Sequence, residues 1–233
     1  LMLGQDGLVT GAIYALMALA LVLVFSVTRV IFIPQGEFVT YAALSMAAIQ
    51  AGGVPSAIWL LLGLAAITLA VEAWRQARGL HVDWGSTAVW AIVLPALAAG
   101  VALWLKPATT WAQTVLALLL IVPMGPLLYR LVYRPLAHAT VLTLLIVSVA
   151  LHWVMVGLGL YFFGAEGART ASMWDARWDV GGLPVSGQSL VVMGAAVVLL
   201  AAMYVFFERS IIGKALRATA INRVGARLMG IPT

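Results

Sequence analysis

Residues 188–207 read QSLVVMGAAVVLLAAMYVFF, and residues 208–231 continue ERSIIGKALRATAINRVGARLMGI. The first stretch carries no charge and has the length, about 20 apolar residues, that a helix needs to cross a hydrocarbon core. The second is different in kind. It holds five cations, Arg209, Lys214, Arg217, Arg223 and Arg227, among Ala, Leu and other residues that favour helix. A spanning helix that runs into a basic, non-spanning helical segment decides the fold class. This is a membrane protein, and its last segment lies at a surface, against anionic lipid or a partner.

The same pattern recurs upstream. The chain is 64% hydrophobic and 9% charged, where a soluble domain has about 25% charged residues. The apolar runs are long and continuous, which excludes the short alternating segments of a β-barrel. The expected fold is all-α, a polytopic transmembrane helical bundle. Seven spans are expected, at residues 7–28, 37–52, 56–73, 86–105, 110–128, 139–163 and 188–207. Pro34, Pro55, Pro107, Pro135 and Pro184 punctuate span ends, while Pro95 and Pro123 fall inside spans, where neighbouring helices tolerate them. The start, LMLGQDG, lacks the basic region that precedes a signal peptide. There is no cysteine, so disulfides and thiolate sites are excluded.

Charge sets the orientation. With seven spans, Arg29, Arg75, Arg78, Arg130, Arg134 and the five tail cations fall on one side, and Lys106, Arg169 and Arg177 on the other. Positively charged loops stay in the cytoplasm. The N-terminus is therefore expected outside, and the basic tail inside. The net charge of +5 belongs to these short loops and is not a nucleic-acid signal. The outer loop 164–187 holds Glu166, Asp175, Asp179, Trp174 and Trp178, a composition that suits an interfacial aromatic anchor or a docking loop.

In the tail, Asn222 is the expected N-cap of a short helix from Arg223, and Gly230 with Pro232 its stop. On physics alone this is either an amphipathic helix on lipid or a partner-binding element. Its wording resembles the cytoplasmic loop of permease subunits of bacterial ABC importers for branched-chain amino acids. That family places a Gly, an Arg-Ala pair, an acidic cap and a Leu-x-Gly-Ile ending in this order. Here they match Gly213, Arg217-Ala218, Asn222 and Leu228-Met229-Gly230-Ile231, with Asn in place of the acid.

Two further stretches carry the resemblance. Gly7, Gly11, Tyr14, Ala15 and Leu16 match the family's opening Gly-x-x-x-Gly-x-x-Tyr-Ala-Leu. The box that follows keeps Gly36 and Glu37, puts Gln35 where the family has His, and loses its Asn and Ala. Tyr133-Arg134-Pro135-Leu136 looks like the family's Tyr-Arg-Pro loop, whereas Val156-Gly157 stand where the family often has Gln-Asn. Residues 55–106, a tryptophan-rich hairpin, have no family counterpart and read as an insertion. The family continues with further spans beyond its Gly-Ile ending, so the chain is expected to be a C-terminally partial permease. The domain reading is a permease domain over 1–207 and a cytoplasmic coupling segment over 208–233.

The resemblance implies the function: a permease subunit of an ATP-driven importer for branched-chain or related amino acids. Its implied partners are two cytoplasmic ATPase subunits, a second permease subunit and a periplasmic substrate-binding protein. Gly213, Leu216, Arg217, Asn222, Arg223, Val224, Arg227, Leu228 and Gly230 would couple to the ATPase. The arginines and Asn222 would dock or cap the segment, and Leu216, Val224 and Leu228 would fill a groove. Polar residues inside spans tend to line pathways, which makes Tyr14, Gln35, Gly36, Glu37 and His152 candidates. The plainer readings are a carboxylate at a helix N-terminus for Glu37 and a packed core histidine for His152. Glu72 and Glu208 are expected in local ion pairs with neighbouring arginines. Gly7, Gly11, Gly157 and Gly159 are expected to permit close helix packing. No phosphate-binding loop of Walker type occurs, and neither an enzymatic centre nor a cofactor or metal site is expected. A second function class stays open: a self-sufficient channel or secondary transporter using Glu37 and His152 as ion-handling groups.

Overall fold

The computed structural model describes residues 2–105, 109–137, 139–180 and 183–231. Lys106, Pro107 and Pro232 lie outside these residues. The elements in order are α1 (Met2–Thr28), α2 (Gln35–Gln50), α3 (Ala57–Ala77), α4 (Trp84–Trp104), α5 (Thr110–Leu136), α6 (Val141–Phe163), β1 (Arg177–Val180), β2 (Leu183–Ser186), α7 (Gly187–Arg209), α8 (Ile211–Ile221) and α9 (Arg223–Leu228). The chain is a helical membrane bundle. By length and composition six helices, α1, α3, α4, α5, α6 and α7, are able to cross a membrane. The seventh expected span is α2, which at 16 residues is only about 24 Å long.

Polar residues start these helices where the sequence places them. Asp83, Thr109, Thr140, Ser186 and Ser210 each accept a hydrogen bond from the backbone N–H three residues on, which satisfies one of the orphan donors of a helix start. Pro123 falls at a break in α5, where its missing N–H removes a helix bond. Two helices widen locally into π-helical turns, α4 at Val89–Val93 and again at Val101–Leu105, and α5 at Tyr129–Tyr133.

The chain forms two compact units. One comprises residues 33–171, that is, α2 to α6. Tyr41, Ile58, Leu61, Leu120, Met124 and Leu127 are its largest fully buried apolar side chains. In this unit α2 packs against α5 and α6, and α3 against α4, α5 and α6. The cation-bearing ends of α3 and α5 meet the start of α4 at one end of the unit. There Arg134 donates to Glu72 at 2.7 Å, and Arg130 donates to Ser86 Oγ at 2.6 Å and to Thr87 Oγ1. These contacts tie the helices of the 55–106 hairpin to α5. Glu72, 1% exposed, makes its expected local pair with Arg75 at 3.8 Å and a second, closer one with Arg134 at 2.7 Å. A carboxylate so buried requires a hydrogen-bonded cation, and α5 supplies it through Arg134.

The other unit comprises residues 1–32 and 172–233, with α1, the β-hairpin, α7, α8 and α9. Strands β1 and β2 pair antiparallel, Val180 opposite Leu183 and Arg177 opposite Ser186, an element absent from the all-helical expectation. Behind it the Trp174 backbone and ring close on Gly187, where an added Cβ would lie 2.7 Å from the Trp174 carbonyl oxygen. The Trp174 and Trp178 rings meet edge to face at 4.9 Å. Most of α1 and α7 is exposed apolar surface, which lipid accommodates as readily as protein. Gly7 and Gly11 meet nothing within 4 Å of an added Cβ, so the close packing expected there does not occur among the described residues.

Candidate functional site

The tail folds as two capped helices set at a sharp corner. Ser210 caps α8 through Gly213 N–H at 2.9 Å. Gly213 sits in the corner itself: a Cβ there would lie 2.3 Å from the Phe206 carbonyl oxygen and 2.8 Å from Phe207 Cα. No other residue type fits without moving the backbone of α7. Asn222 ends α8 and caps α9 through Gly225 N–H at 3.0 Å, as its place in the sequence predicts. Gly230 follows α9 with φ +80°, the left-handed conformation that closes helices and favours glycine.

Polar contacts fix the corner. Arg217 pairs with Glu208 at 2.8 Å, one turn of α8 reaching back to the end of α7. This differs from the expected local pairing of Glu208 with Arg209, because the corner swings α8 alongside α7. Arg29 has φ +62° and donates to the Ala220 carbonyl at 3.0 Å, so the residue just past α1 caps the C-terminal end of α8. A cation is favoured at that end of a helix.

The apolar residues of the segment divide. Leu216 is half-buried. Ile221, Val224, Leu228 and Met229 are 85%, 69%, 83% and 82% exposed. Together with Arg227 they make a surface that is apolar and basic at once. Arg223 begins α9.

In the α2–α6 unit the sequence candidates converge on one place. Glu37, in the first turn of α2, brings Oε1 to 2.8 Å from His152 Nδ1. The ring N–H does not line up as a hydrogen bond, and Nδ1 and Glu37 Oε2 are both buried with no hydrogen-bond partner. One turn further on, Tyr41 donates to the Met155 carbonyl, and its ring lies 3.0 Å from where a Gly159 Cβ would be. At the far end Gln50 exchanges hydrogen bonds with the Ala171 backbone, 3.3 Å from Nε2 and 2.7 Å to Oε1. The sequence of contacts 37–152, 41–155 and 50–171 makes α2 parallel to α6.

His152 is close to the middle of α6, so the N-terminus of α2 lies level with the middle of a spanning helix. A second span beginning at residue 37, beside Pro34 and Gly36, would put Glu37 at a membrane edge. The pairing moves it to the level of the α6 midpoint. A helix that starts there directs the positive end of its dipole and its free N–H groups into the interior.

Ser45, two turns along α2, is fully buried and its hydroxyl has no partner. Sequence reasoning had not singled out Tyr41 or Ser45; their i, i+4, i+8 spacing from Glu37 on one helix face was the available signal. Gln35 and Gly36 open the same helix. Tyr14 belongs to the other unit, where it is 66% exposed. Gly159 makes the close approach expected of it, whereas Gly157 has open space around it.

Comparison with curated proteins and with solved structures returned no match. Comparison with protein families matched one, described as branched-chain amino acid transport system / permease component, over residues 5–233. It is a family of transport proteins rather than enzymes. The match runs from residue 5 to residue 233, and the chain therefore belongs to the branched-chain amino acid transport permease family as a multi-pass inner-membrane protein.

Proposed function

We propose that the chain is the permease subunit of an ATP-driven importer for branched-chain or related amino acids, with residues 208–233 as the segment that receives motion from a cytoplasmic ATPase. The observation that carries this reading is the α7–α8–α9 corner. It is rigidly jointed by Gly213, Ser210 and the Glu208–Arg217 pair, and it ends in the exposed apolar and basic surface of Val224, Leu228 and Met229. A rigid joint passes displacement to the spanning helix, and an exposed apolar anchor among cations suits a groove on a partner. Arg29 extends the joint to α1. A second permease subunit, a second ATPase and a periplasmic binding protein complete the assembly.

The path residues in this reading are Glu37, His152 and the first turn of α2, level with the middle of α6. Broken helices whose N-termini face the midplane bind the carboxylates of amino-acid substrates in other transporter folds. Reconstitution with the ATPase subunits tests the coupling. Gly225→Pro removes the N–H that Asn222 caps and is expected to uncouple ATP hydrolysis from uptake while the complex still assembles. Unchanged transport by a folded complex refutes the assignment.

The Glu37–His152 contact also favours a second reading, a transporter that works without an ATPase. It predicts uptake by the chain alone in liposomes, abolished by His152→Ala. The importer reading predicts no uptake without ATPase and ATP.

A further inference from the structure

A cleft of about 300 Å³ opens between α4 and α5, lined by Asp83, Trp90, Pro126, Tyr129, Arg130 and Arg134. It lies at the end of the unit where the loop arginines gather, and its volume is at the lower end of small-ligand pockets. Two of the three π-helical turns among the described residues border it: Trp90 is in the first turn of this kind in α4, Tyr129 and Arg130 in that of α5. Such turns re-aim side chains and occur often at functional sites.

The charges in the cleft are unequal in kind. Arg134 is committed to Glu72. Arg130 is held by two neutral hydroxyls, Ser86 and Thr87, and among the described residues no carboxylate pairs with it. Asp83 caps α4 through Oδ1 to Ser86 N–H at 3.3 Å and has no cation partner among the described residues. One free cation and one free carboxylate therefore face the same space. The surroundings are those of a bilayer surface. Trp and Tyr concentrate at membrane–water interfaces, and exposed Val89, Ile92, Val93 and Val122 continue along both helices away from the cleft.

We propose that this cleft seats the headgroup of a zwitterionic, amine-bearing phospholipid, with its phosphate on Arg130, its ammonium on Asp83 and its acyl chains along the apolar faces of α4 and α5. Arg130 donates to phosphate oxygens through the guanidinium edge not used by the hydroxyls. Trp90 and Tyr129 flank the ammonium, which aromatic faces attract. A purely anionic headgroup would meet the unneutralised Asp83. The tryptophan-rich 55–106 hairpin supplies half of this site, and lipid capture gives that segment a role apart from the transport path.

The test is native mass spectrometry of the full chain in detergent with equimolar phosphatidylethanolamine and phosphatidylglycerol of identical acyl chains. The wild-type chain is expected to retain phosphatidylethanolamine preferentially. Asp83→Asn preserves the helix cap, because Asn caps as well as Asp, but deletes the charge. It should shift the ratio toward phosphatidylglycerol by about twofold to fivefold, the scale of one partly screened ion pair. Arg130→Gln should weaken retention of both lipids, and Arg130→Lys should restore part of it. Soluble glycerophosphoethanolamine should not displace the lipid. Equal retention of the two lipids by the wild-type chain, an unchanged ratio in Asp83→Asn, or displacement by the soluble headgroup overturns the proposal.

Discussion

Replacing Arg134 by Met is expected to destabilise the α2–α6 unit more than replacing Arg134 and Glu72 together. Glu72 is 1% exposed and its Oε1 lies 2.7 Å from Arg134 Nη1, while its Oε2 has no hydrogen-bond partner. Removing Arg134 leaves a buried carboxylate whose nearest cation is Arg75 at 3.8 Å. Breaking one side of a buried pair costs about 3–5 kcal/mol. The side chain of Arg134 is 34% exposed and Arg75 remains, so the expected loss is at the lower end, about 3 kcal/mol. For a chain of this size that is a fall in Tm of roughly 6–12 °C. In the double variant Glu72→Leu with Arg134→Met the desolvation penalty disappears with the carboxylate, and most of the loss should be recovered. Thermal denaturation in detergent, followed by size-exclusion chromatography, reads both. A silent Arg134→Met, or a double variant less stable than either single one, refutes the view that the pair works as one buried unit fastening α3 to α5.

Gly213→Ala should strain the corner, since the new Cβ would lie 2.3 Å from the Phe206 carbonyl oxygen; a loss of about 1–3 kcal/mol should appear as a lowered Tm and as reduced ATPase stimulation in the reconstituted complex. Asn222→Ala removes the cap on α9 and should raise hydrogen exchange at Gly225 and Ala226 about fivefold, equivalent to a cap of about 1 kcal/mol, whereas Asn222→Asp should leave it unchanged. Gly159→Leu drives a side chain into the Tyr41 ring, which stands 3.0 Å from the Cβ position; separation of α2 from α6 should lower Tm, with a cost of about 1–3 kcal/mol, while Gly157→Leu, facing open space, should be tolerated.

Much of this architecture is legible in the sequence because lipid imposes it. Continuous apolar runs such as 141–163 and 188–207 leave only a helix as the spanning form, and the hydroxyl or carboxyl residues before them, Thr140 and Ser186, mark their starts. The caps at Ser210 and Asn222 are legible for the same local reason. What escapes is whatever depends on a second segment. Glu72 makes the local pair with Arg75 that its spacing suggests, at 3.8 Å, but the closer bond from Arg134, on another helix, has no mark in the sequence around Glu72. Glu37 and His152 are both conspicuous polar residues in apolar text, but only the parallel packing of α2 on α6 shows that they meet. The π-helical turns at Val89 and Tyr129 have no compositional signature, because a shift from i−4 to i−5 bonding changes no residue preference strongly enough to see. The hairpin Arg177–Ser186 did carry a signal: Gly181-Gly182 between two short runs is a turn dipeptide, and it was masked by the apolar spans on either side.

The claim on which the account turns is that α9 meets an ATPase on the cytoplasmic side. The chain has no cysteine, so a single Val224→Cys, at a side-chain position 69% exposed, is the one thiol that this chain brings to the assembly. In intact cells carrying the whole transporter, the account predicts that this cysteine resists a membrane-impermeant thiol reagent and cross-links to the ATPase subunit with a short bifunctional reagent. Labelling from outside the cell, or cross-linking that never includes the ATPase, contradicts it.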